Sequence, residues 1–105
     1  MRDFQQKDMD IAKNIRMIEW LKAELLDSVS GLYRGFLKGS ETVLLDSISN
    51  IVVFAYVLAR RCGIQFHELD RSVLSKVEKS IELGHQAEEW YGDLSGLRDH
   101  IKRKK

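Results

Sequence analysis

The sequence predicts an all-α fold, an antiparallel bundle of about four helices completed by homodimerisation. Three observations predict it. Apolar residues recur at steps of three and four, glycines rather than prolines divide the chain, and one stretch is apolar on every side. A chain of 105 residues has room for a single domain, residues 1–105, ending in a basic tail at 102–105.

The first helix carries Ile11, Ile15, Ile18, Leu21, Leu25, Val29, Leu32 and Phe36 on one face. Gly31 and Gly35 weaken its end, by about 1 kcal/mol each relative to alanine, and allow a bend or break there. Lys38-Gly39 is a helix stop, and Ser40 with Glu41 starts the next helix. So short a connection folds the second helix back against the first. That helix runs from about Glu41 to Arg61 and stops at Gly63.

Its residues 51–59 are apolar all round and too few to cross a bilayer, which takes about 20. They read as a helix buried on all sides. Three other short helices cannot surround it, so a second copy is expected to. A third helix spans about His67 to Leu83, with Leu69, Val73, Val77 and Ile81 in register. The pattern breaks at Trp90-Tyr91-Gly92, and Asp93 caps a last helix bearing Leu94, Leu97 and Ile101.

Composition excludes several functions. A net charge of +1 supplies no field for nucleic acid or an anionic membrane. The tail Lys102-Arg103-Lys104-Lys105 reads as a complement to the helix dipole. Cys62, the sole cysteine, reads as a small buried residue at a helix end and fits a reducing, cytoplasmic setting. His67, His85 and His100 lack the spacing of a zinc helix.

What remains is a polar set on apolar helices. Glu24, Asp27, Ser28 and Gly31 share one stripe of the first helix, and Asp46, Ser47 and Asn50 face it from the second. Converging carboxylates of that kind hold Mg²⁺ in helical bundles, so Asp27, Glu24, Asp46 and Asn50 are the candidate metal ligands. The alternative is that Asp27 and Asp46 are ordinary solvated positions and Asn50 a polar residue at a helix contact.

The stretches Ile18-Glu19-Trp20-Leu21-Lys22-Ala23-Glu24-Leu25-Leu26, Leu37-Lys38-Gly39-Ser40-Glu41, Ser49-Asn50-Ile51-Val52-Val53 and Glu89-Trp90-Tyr91-Gly92-Asp93-Leu94 resemble the MazG-like family. This is a branch of the all-α nucleotide pyrophosphohydrolases. The resemblance implies a dimer or a dimer of dimers. It also implies Mg²⁺-dependent hydrolysis of nucleoside triphosphates, often non-standard ones, to monophosphate and pyrophosphate. The family signature, Glu-Glu-x-x-Glu then Glu-x-x-Asp, falls on Asp27, Ser28 and Gly31 and on Ser47 and Asn50. Four of its five carboxylates are missing.

The resemblance makes Asp27 and Asn50 the catalytic candidates. It makes Lys76 and Lys79 of the third helix the candidates for contacting nucleotide phosphates, against a reading of both as a solvated face. Two functions compete. One is a Mg²⁺-dependent nucleoside triphosphate pyrophosphohydrolase. The other keeps the helical dimer, has lost most catalysis, and binds a nucleotide or a protein. The missing carboxylates favour the second.

Overall fold

In the computed structural model, which describes residues 2–103 and side chains from residue 6 onward, glycines fall where the chain turns. The first helix, α1 (Arg2–Lys38), stops before Gly39, whose φ of +63° is a conformation glycine adopts without strain. Ser40 caps α2 (Glu41–Arg61), its hydroxyl oxygen accepting from the Val43 amide at 3.3 Å. Beyond the turn at Gly63 come α3 (Phe66–Glu82), α4 (Gln86–Tyr91) and α5 (Asp93–Arg103). The described residues contain no strand.

The described residues form five helices, where about four were expected. The extra one is α4, a six-residue helix whose N-terminus is capped by a side chain that hydropathy does not flag. His85 Nδ1 accepts from the Ala87 amide at 3.0 Å, and Gly92 closes the other end in the left-handed conformation. The third helix begins at Phe66 and ends at Glu82, one residue earlier at each end than the spacing predicts.

The chain forms two compact units, Met1–Gln65 and Phe66–Lys105. The first is the antiparallel hairpin of α1 and α2. Its register runs from Asn14, whose Nδ2 donates to the Arg61 carbonyl at 3.0 Å, through the edge-to-face pair Trp20–Phe54 at 6.0 Å, to Gly35 against Leu44. Leu21, 1% exposed, is the centre of its core. In the second unit α5 packs on α3, Val77 is buried, and Lys102 Nζ lies 3.7 Å from Glu78 Oε2. Lys102 and Arg103 belong to the described end of α5; Lys104 and Lys105 lie outside the described residues.

Two expectations are corrected. Gly31 and Gly35 do not break α1, which continues as one helix to Lys38. They are buried where α2 comes close. Residues 51–59 are left partly uncovered within one chain, as expected of a stretch that three other short helices cannot surround: Val52 is 50% and Val53 54% exposed, and the rest are half-buried. Only 6% of the most apolar part of α2 is buried, and by length and composition the helix could cross a membrane. Within its own unit α2 has one neighbouring helix, and one helix covers one side of a cylinder. Finally, Cys62 is exposed rather than buried, because it ends α2 at a turn.

Candidate functional site

The hairpin brings the two polar stripes together. Ser28 and Ser47 are buried at the contact between α1 and α2, 8% and 6% exposed. Gly31 lies against Ser47 so closely that a Cβ added to it would stand 2.9 Å from Ser47 Oγ. Real Cβ atoms do not stand that close, so a side chain at 31 would oblige Ser47 to shift. Ser28 Oγ donates back to the Glu24 carbonyl at 2.8 Å, which satisfies it within its own helix.

The carboxylates stand elsewhere. Asp27 and Asp46 are exposed, while Glu24 and Asn50 are half-buried. Among the described residues no three His, Cys, Asp or Glu side chains form a group that could hold a metal ion, so Glu24, Asp27 and Asp46 are not brought together as one. Lys76 and Lys79 are exposed along α3, in the second compact unit.

One cation at the polar stripe escaped the sequence reading. Arg34 Nη1 donates to Ser30 Oγ at 2.8 Å, and its Nη2 stands 3.5 Å from where a Cβ at Gly31 would sit. The side chain runs back along α1, as long helical side chains do, and so overlies the preceding turn. The signal available in the sequence was the spacing: Ser30 and Arg34 are four apart, so they are neighbours on one face of α1.

In the second unit Glu88 sits at the junction of α4 and α5. Its Oε1 accepts from the Ser95 amide at 2.8 Å, and its Oε2 accepts from the Ser95 hydroxyl. These bonds favour the ionised form and hold the Glu88 pKa below the usual carboxylate range, the Ser95 hydroxyl first, with Arg98 adding a smaller electrostatic pull. Glu88, not Asp93, therefore supplies the cap of α5. Asp93 is the first residue of that helix.

A family profile decides what this hairpin is related to: that of the MazG-like family matches residues 11–94. The chain belongs to the MazG-like family. It is accordingly an all-helical protein related to the nucleotide pyrophosphohydrolases. The matched span takes in the whole polar stripe of α1, all of α2 and α3, and the Trp-Tyr-Gly-Asp segment. No curated protein and no solved structure matches this MazG-like chain.

Proposed function

We propose that this MazG-like protein has kept the family's helical frame, has lost most of its hydrolysis, and serves as a cytoplasmic binding module for a nucleotide or a protein. The observation that carries the reading is the burial of Ser28, Gly31 and Ser47 in the α1–α2 contact. In the implied signature these three positions are carboxylates. Here they are small and spent on packing.

Their chemistry does not fit Mg²⁺. The ion takes oxygen ligands in a strict octahedron and surrenders its waters reluctantly, so it needs carboxylate charge. Gly31 offers no atom, the Ser28 hydroxyl donates to a carbonyl, and Asn50 contributes at best a neutral oxygen. Asp27 alone keeps a motif carboxylate.

Purified protein with Mg²⁺ is expected to release little or no pyrophosphate from any common or non-standard nucleoside triphosphate. Brisk Mg²⁺-dependent turnover, abolished by Asp27→Ala, would overturn the reading and restore the enzyme. The positions are also hard to convert back. Gly31→Glu gains helix propensity, yet its Cβ meets Ser47 Oγ, so Ser47 must move before the change can help.

The partner expected on α2 is a second copy, giving a homodimer or a dimer of dimers. What supports it is the row Leu45, Ile48 and Val52, exposed on α2 and free of charge over about two turns. Sedimentation is expected to give at least twice the chain mass of 12.2 kDa. Val52→Lys should dissociate the assembly and leave the hairpin folded, since the side chain is already exposed in one chain. A folded wild-type monomer at micromolar concentration would refute self-association.

A further inference from the structure

We draw no further inference here: the strongest candidate, the exposed aromatic patch of Trp90 and Tyr91 at the end of α4, is an open apolar face, and nothing in the structure shows what covers it.

Discussion

The two compact units hold themselves together by different means. In the hairpin of α1 and α2 the decisive residues are small or apolar: Leu21 fills the core, and Ser28, Gly31, Gly35 and Ser47 let two helices approach. In the unit of α3, α4 and α5 Val77 is the one buried residue among those described, and the connections are made by polar groups: His85 caps α4, Glu88 caps α5, and Lys102 reaches Glu78. Burial is non-directional and depends on how well a site can close; caps depend on a few directed bonds. The difference teaches where this MazG-like chain tolerates change. The stripe that in the family carries chemistry is here part of the tightest packing, so any change there is also a change of stability.

Leu21→Ala should make the largest difference between the units. The side chain is 1% exposed, and removing it leaves a cavity as well as losing its transfer energy. A cost of about 2–5 kcal/mol is expected in denaturant unfolding. Hydrogen exchange should show the loss in α1 and α2 amides. Val77→Ala, a smaller deletion at a residue 7% exposed, should cost less and show in α3 and α5. Equal, chain-wide losses from both would break the comparison.

Two helical glycines sharpen it, because the same substitution should have opposite signs. A Cβ on Gly35 would stand 3.1 Å from Leu44 Cδ2 and 3.2 Å from the Leu44 backbone nitrogen. Backbone cannot rotate away, so Gly35→Ala should destabilise by about 1–3 kcal/mol despite better helix propensity. Gly96, inside α5, has nothing within 4 Å of its added Cβ. Gly96→Ala should stabilise by up to about 1 kcal/mol. Thermal melts of the two variants decide the matter.

The sequence made α2 and α3 legible to within a residue or two because periodicity, glycine stops and the Ser40 cap all agree there. It did not reveal what the α1 glycines do. A glycine near a helix end looks like weakness until a neighbour is placed against it, and contact across a hairpin is not written in local spacing. The family stretches were readable, and the profile over residues 11–94 agrees with them. Asp27, Asn50 and Glu24 could be singled out by type and period. The all-round apolarity of α2 was legible too, but an apolar run says that a cover is needed and not which molecule supplies it.

The smallest expected effect tests the polar half of the comparison. Glu88 bonds to the Ser95 amide and hydroxyl only as a carboxylate acceptor, so its folded pKa lies below its unfolded one, near 4.3. The unfolded state then binds more protons in the window between the two values, and stability rises with pH there. The contribution is fully present above about pH 4.3 and is lost as pH falls through the lower, folded value. Glu88→Gln keeps the shape and an acceptor oxygen but removes the titration. The variant should melt lower than wild type at pH 6, and the gap should narrow as the pH is taken below 4.3, where wild type loses its charge. The Ser95 amide should exchange faster in the variant, while the hairpin amides of α1 and α2 stay unchanged. The groups that act on Glu88 are Ser95, the Leu94 backbone and Arg98. Arg98→Gln should therefore shrink the effect only slightly, because the hydrogen bonds come first among its causes. A gap that stays constant from pH 6 down to pH 2 would show that the α5 cap does not depend on the charge of Glu88. The second unit would then owe its cohesion to Val77 and its neighbours, as the first does to Leu21.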